Sequence, residues 1–517
     1  MASVEQFPAP VSRGQRRNRP LTSLRVLLGA VGVLGLSFQS FAQTQPETPS
    51  AAPLARVAAP LELGVVLSRS RVHFPMILEA LEAEKAAQAQ SITAAGAFDP
   101  VVNSEGFSRV TGFWSGSIVD SEVNKRLSSI GADVFLGYKI SNGEFPIYED
   151  INFTDTGGAF KLGFFLSLLR DRAFDPQRAG VRDAELAAAA ARFDVLATKI
   201  DVQARASIAY FEWVAAALRY DVLANLLDIA LVRDRALSRR VEEGDAPSIL
   251  LVENEQNILR RQALLAEAER DVDVAAVQLG GFNRDELGLP TPPARIQTPD
   301  AFPPLRAREL GYSDNLMADL RSQRPEFALL DVNLAKLENE LALRENALKP
   351  KLDFGFEYQR DVGDVAEGGI SRQGNDTILS FRFSMPIGRR AAKGQIAETK
   401  AKMSALTYRR RMLTDQIQLE LLSVSRTLDA AIQLVDLARR EAEQAELMRQ
   451  AEKRLFEEGA SDFFLLNRRE EFLADAQVRV VDAFLRYHVT AVNFDAATVD
   501  LARLGLRVSP DPSREDG

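Results

Sequence analysis

The sequence predicts a mixed α/β membrane protein with an internal duplication, in which strand hairpins are continued by very long helices. Three observations carry that prediction. Segments 350–359 and 377–385 alternate apolar and polar residues strictly. Two helical patterns each run for more than sixty residues. The prolines and glycines that punctuate these elements recur at matched spacing in the two halves.

The chain has 517 residues, 46% of them apolar, enough to bury a core. Its net charge is −9, and once the +4 of residues 1–42 is removed the remainder carries −13. So acidic a chain, without a basic patch, is not a nucleic-acid binder. It has no cysteine, which excludes disulfides, thiolate metal sites, cysteine nucleophiles and a lipidated N-terminal cysteine. The two histidines, His73 and His488, each stand alone, without the i, i+4 partner of a helical zinc pair. There is no nucleophile motif and no glycine-rich phosphate loop, so neither enzyme nor cofactor is expected.

Residues 1–42 read as a signal peptide: five arginines, an apolar stretch at 26–38, and Ser40-Phe41-Ala42 as the cleavage site. Residues 43–61 read as a flexible segment. The first repeat then spans 62–280 and opens with a helix that runs from Pro75 to Pro100. A weak strand is expected near Val101–Gly112. "AFKLGFFLSL" (159–168) is a clearer one, with Phe160, Leu162, Phe164, Leu166 and Leu168 on one face. The stretch 113–157 between them has no counterpart in the second half and holds "ADVFLGYKIS", which could form a strand of its own. From Arg178 to Glu243 a helix carries the stripe Phe211, Val214, Leu218, Val222, Leu226 and Ile229. Gly244 breaks it, and a second helix follows to about Gly280.

Residues 281–323 form a proline-rich connector. The second repeat, 324–504, restates the order. A helix runs from Pro325 to Pro350. In the hairpin, Leu352, Phe354, Phe356, Tyr358, Leu379, Phe381 and Phe383 take one face, expected to meet lipid. Lys351, Asp353 and Glu357 take the watery one. A helix from about Arg389 to Glu457 follows, striped by Leu413, Ile417, Leu421, Val424, Leu428, Ala431 and Val435. At 1.5 Å per residue each long helix reaches roughly 100 Å. Gly459 breaks this one, a last helix runs from about Ser461 to Leu504, and 505–517 is a disordered tail. Four strands cannot close a barrel alone, and an open sheet edge in a bilayer leaves backbone groups unpaired, so several copies must join.

The two tips, "RRVEEGDAPSILLV" and "RLFEEGASDFFLLN", together with "ALKPKLDFGFEY" and "FSMPIGRRAAKGQIAETKAK", resemble the TolC-like family of outer-membrane efflux proteins. The resemblance implies a homotrimer in the outer membrane with a twelve-stranded barrel, four strands per chain, and a helical tunnel in the periplasm. It implies a passive exit duct of an efflux pump or type I secretion system, working with a periplasmic adaptor and an inner-membrane pump. It places adaptor contacts at Arg240, Glu243, Gly244 and Asp245, and at Arg454, Glu458, Gly459 and Asp462. Candidates for the periplasmic entrance are Glu457, Asp462, Leu465, Asn467 and Arg468, where the run Leu-Leu-Asn-Arg replaces the family's acidic pattern. Phe463 and Phe464 read as helix packing. The rival readings are a periplasmic adaptor, which needs only one helical hairpin and a separate β domain, and a soluble coiled-coil scaffold, which leaves the alternating strands without a purpose.

Overall fold

The computed structural model describes residues 59–306, 314–365 and 375–506. The expected signal peptide, nearly all of the 43–61 segment and the tail beyond 506 lie outside them. Leu61, at the end of that segment, is buried, and its N–H donates to the Gln297 carbonyl.

The first half runs α1 (Leu63–His73), α2 (Pro75–Ala95), β1 (Val101–Ser108), β2 (Ser117–Leu127), β3 (Ala132–Asn142), β4 (Ala159–Ser167), α3 (Pro176–Glu242) and α4 (Ile249–Gly280). The second half runs α5 (Asp314–Gln323), α6 (Pro325–Asn346), β5 (Lys351–Asp361), β6 (Asn375–Ser384), α7 (Arg390–Glu457) and α8 (Phe463–Ala497). Proline opens α2, α3 and α6, where its fixed φ suits the first turn and its missing N–H costs nothing. Phe74 and Arg324, each preceding such a proline, are held extended, which separates α1 from α2 and α5 from α6. The last ten residues of the expected connector thus form a helix, α5. The last helix, expected to reach Leu504, ends at Ala497. There Val499 adopts φ 54° and turns the chain.

The strands form one antiparallel meander in the order β1-β2-β3-β4-β5-β6. This corrects the expected four strands per chain: among the described residues the sheet has six. The first strand ends at Ser108, not Gly112, and the 113–157 insertion contributes both β2 and β3. "ADVFLGYKIS", expected as a possible strand, is one, within β3. Its partner β2 was hidden because its apolar face is mixed: Ser117, Ser121 and Lys125 alternate with Val119, Val123 and Leu127, while Ile118 sits on the other side. The turn between β2 and β3 lies at the helical end, where the Ser167 N–H donates to the Gly131 carbonyl and the Gly131 N–H to that of Arg172.

The long helices α3 and α7 are the spines of the helical part. Beside the sheet, α3 meets α2 and α6, and α7 meets α6; farther out, α3 meets α4 and α8, and α7 meets α8. The α7 stripe behaves as its spacing demands: Ile417, Leu421, Leu428, Ala431 and Val435 are all buried. On α3, Trp213 is fully buried among Tyr210, Val214, Val272 and Leu279. His488 is a packing residue, stacked on Phe211 at 4.4 Å and on Phe302 of the connector at 5.3 Å.

Candidate functional site: the sheet wall and the helical tips

Strand register puts every alternation on a common surface. Phe164 pairs with Phe356, Leu166 with Phe354 and Leu162 with Tyr358; Phe381, Leu379 and Phe383 pair in turn with Phe354, Phe356 and Leu352. Ala132, Val134, Leu136 and Tyr138 of β3 continue that face. All seven expected lipid-facing residues therefore lie on one side. The opposite side carries Asp120, Glu122, Asp133, Lys161, Asp353 and Glu357. There the Lys161 ammonium crosses Gly137 to reach Asp120 at 3.1 Å and Glu122 at 2.8 Å, so β2, β3 and β4 are tied together on the polar face. A side chain at Gly137 would collide with the lysine stem.

The two sheet edges are the two strands that are exposed throughout, β1 and β6. They run in opposite directions, because six strands separate into three up and three down. The helices show the same incompleteness. Val252, Leu259 and Val277 on α4 and Tyr408, Leu419 and Leu437 on α7 are all more than half exposed. Single exposed apolar residues are ordinary, but here they recur along both helices.

At the junction of sheet and helices, Asp175 is completely buried. Its Oδ1 accepts the Arg178 N–H at 2.8 Å, capping α3, and its other oxygen faces Arg178 at 3.3 Å and Arg126 of β2 at 3.5 Å. Asn346, at the end of α6, donates to Asp171 at 2.8 Å and so joins the two halves.

The tips are the same structure built twice. Gly244 has φ 78° and Gly459 φ 77°. The Gly244 N–H donates to the Val241 carbonyl and the Asp245 N–H to that of Arg240; Gly459 donates to Phe456 and Ala460 to Leu455. Each is a paired 5→2 and 6→1 closure around a left-handed residue, which is why both positions are glycine. Of the expected adaptor-contact residues, Arg240 and Asp245 pair with each other at 3.3 Å, and both are largely exposed. Glu243, Arg454 and Glu458 are exposed as well. Asp462 shapes the backbone: its Oδ1 accepts the Leu465 N–H at 2.6 Å and caps α8.

The entrance candidates do not share one surface. Glu457, Leu465 and Arg468 are exposed, whereas Asn467 is buried and accepts from Arg233. Phe463 packs inside, but Phe464 is 69% exposed. Beside Asn467 lies a cluster not anticipated from the sequence. Glu470 of α8 is buried and accepts from both Arg233 of α3 and Arg261 of α4, the latter at 3.1 Å. Arg261 also donates to the Leu226 carbonyl at 2.7 Å. Burial pulls the Arg233 guanidinium below its ordinary pKa, the Glu470 charge opposing that pull. The signal was present in the sequence: Leu226, Ala230, Arg233 and Leu237 step by 4, 3 and 4, as do Phe463, Leu466, Glu470 and Leu473 by 3, 4 and 3. A charge written into an apolar stripe is a buried charge.

No helix among the described residues is long and apolar enough to cross a membrane, and none of their acidic or histidine side chains gather into a metal-binding group. No family model matches the sequence, and no curated protein matches it significantly. Solved structures do. The Neisseria gonorrhoeae outer-membrane channel MtrE, in its open state, superposes with a TM-score of 0.60 at 14% identity, over 87% of this chain and 93% of that one. The Vibrio cholerae outer-membrane protein VceC gives 0.59 at 15% identity, over 84% and 95%. The Campylobacter jejuni outer-membrane channel CmeC gives 0.58 at 14%, over 87% and 90%.

The fold is that of the TolC-like outer-membrane channels.

Proposed function

We propose that the protein is the outer-membrane channel of a tripartite export system, either an efflux pump or type I secretion. Copies of the chain, three by the resemblance, join edge to edge. The sheet then spans the outer membrane and the helices form a periplasmic tunnel. The channel is a passive duct without chemistry of its own. An inner-membrane pump supplies the drive, and a periplasmic adaptor meets the tips around Gly244 and Gly459. The matched order of elements in the two halves is read as an ancient duplication.

The observation that carries this reading is the sheet. Its apolar face, continuous over β3 to β6, fits lipid, its polar face fits water, and its two wholly exposed edge strands run antiparallel to each other. Edges left open in hydrocarbon are costly, so β1 of one copy pairs with β6 of the next.

Membrane fractionation tests it. The protein should sediment with the outer membrane and run in mild detergent as an oligomer that heat dissociates. Release of a native monomer by osmotic shock would sink the proposal. The tips are tested separately. Asp245→Lys should reduce export while the oligomer assembles normally. At the second tip Asp462→Asn is the suitable change, since asparagine keeps the α8 cap while removing the charge.

A further inference from the structure

The 113–157 insertion does more than add two strands. Its last part, residues 144–154, between β3 and β4, does not stand up from the sheet. It lies back against the polar face of the inserted hairpin. Ser141 and Thr154 bond reciprocally, the Ser141 N–H donating to Thr154 Oγ1 at 3.0 Å and the Thr154 N–H to Ser141 Oγ at 2.8 Å. The Lys139 ammonium donates to the Ile151 carbonyl at 2.7 Å. Phe145 covers Gly116, where an added Cβ would lie 2.6 Å from the ring. Ile118, Phe145 and Phe153 form a small buried cluster. Glu149 is ion-paired with Arg109 from the β1–β2 loop. Every strand residue in this set, Ile118, Lys139 and Ser141, shares the face that carries Asp120, Glu122 and Lys161. Three large apolar side chains of the segment point away from the sheet: Ile147, Tyr148 and Ile151 are 90%, 81% and 74% exposed, with the Glu144 carboxylate exposed at its start.

From this geometry we infer that residues 144–154 form an in-turned loop that narrows the outer mouth of the barrel, with Ile147, Tyr148 and Ile151 of every copy facing the axis. The inference rests on the channel reading above and gives it a specificity element. Three six-stranded sheets make an eighteen-stranded barrel. With strands about 4.8 Å apart and tilted about 40°, its radius is about 18 Å, against about 12 Å for twelve strands. A segment packed on a sheet stands about 10 Å from it, leaving a free radius of about 8 Å. The insertion thus widens the wall and its loop refills the opening. The collar that results is apolar at its inner edge, which favours solutes with apolar surface over hydrated ions.

Cross-linking decides the matter, and the absence of native cysteine makes it clean. In the full-length protein, Tyr148→Cys places three thiols about 14 Å apart if the loop turns inward, but about 30 Å apart if it stands on the wall. A bismaleimide reaching about 16 Å should therefore convert Tyr148→Cys into covalent dimers, since one thiol per copy lets each linker join two copies, and leave Leu136→Cys, on the outward face of β3, monomeric on a denaturing gel. Tyr148 is exposed, so its replacement leaves the packing intact. Assembled oligomers in which Tyr148→Cys fails to cross-link, or in which Leu136→Cys cross-links equally, would overturn the in-turned loop while leaving the channel standing. A protein that never assembles in the membrane fraction would overturn both.

Discussion

At the residue scale, a few positions hold conformations or charges that no other residue type holds as well. Gly244 and Gly459 have open space around the missing Cβ, so replacement by alanine costs only the left-handed backbone, about 1 kcal/mol each. Thermal unfolding of Gly244→Ala and Gly459→Ala should show matched, additive losses, the two sites being independent. Val499 holds the same conformation at the end of α8 with a β-branched side chain and bears that strain in the wild type. Tyr210 gives a pH signature. Burial pushes its hydroxyl up to about 12, with the Glu62 charge adding to the effect, while the hydroxyl donates to the Leu61 carbonyl at 2.9 Å. A raised pKa means that the folded state holds the proton more tightly. The stability it contributes is complete below the ordinary tyrosine value and is lost as pH rises through about 12. The whole effect is about 2.7 kcal/mol. Melting curves taken between pH 9 and pH 11.5 should fall more steeply for the wild type than for Tyr210→Phe.

At the scale of elements, the joint between α3, α4 and α8 is held by one carboxylate between two guanidinium groups. Glu470→Gln leaves Arg233 and Arg261 buried without a counter-charge and should cost about 3–5 kcal/mol, read as a lower unfolding midpoint. Replacing all three with apolar residues of similar volume should recover most of that loss. In the sheet, Phe356→Arg puts a charge on the apolar face near mid-strand and, if that face meets lipid as proposed, should cost about 2–4 kcal/mol, whereas Glu357→Arg, one residue along on the polar face, should cost far less. Heat resistance of the oligomer on a gel compares the two. The elements were unequally legible in the sequence. The long helices and β4, β5 and β6 announced themselves because each buries or turns outward a uniformly apolar stripe. β2 did not, because serine and lysine interrupt its outward face, and pairing with β3 supplies what its own pattern lacks. The tips were legible as glycine breaks. The Asp462 cap is local, a side chain three residues before the N–H it accepts, and was legible in principle; the Arg233–Glu470–Arg261 cluster showed in the sequence only as charges set into apolar stripes, and which charge meets which depends on how three helices pack.

At the scale of the whole molecule, the chain leaves uncovered edges in both its sheet and its helices, which in the proposed channel are closed by neighbouring copies. Truncating the inserted hairpin, so that β1 leads directly to β4, should still give an assembled oligomer, now with a narrower barrel; the projected diameter in electron micrographs measures the change. The direction of the edge strands sets the rule for any such enlargement. Each copy must begin with a strand rising away from the helices and end with one descending, or the seam between neighbours would bring together strands of the same sense. A single added strand would spoil every seam at once. The wall can therefore grow or shrink only by whole hairpins, and its circumference is quantised in steps of two strands for every copy in the ring.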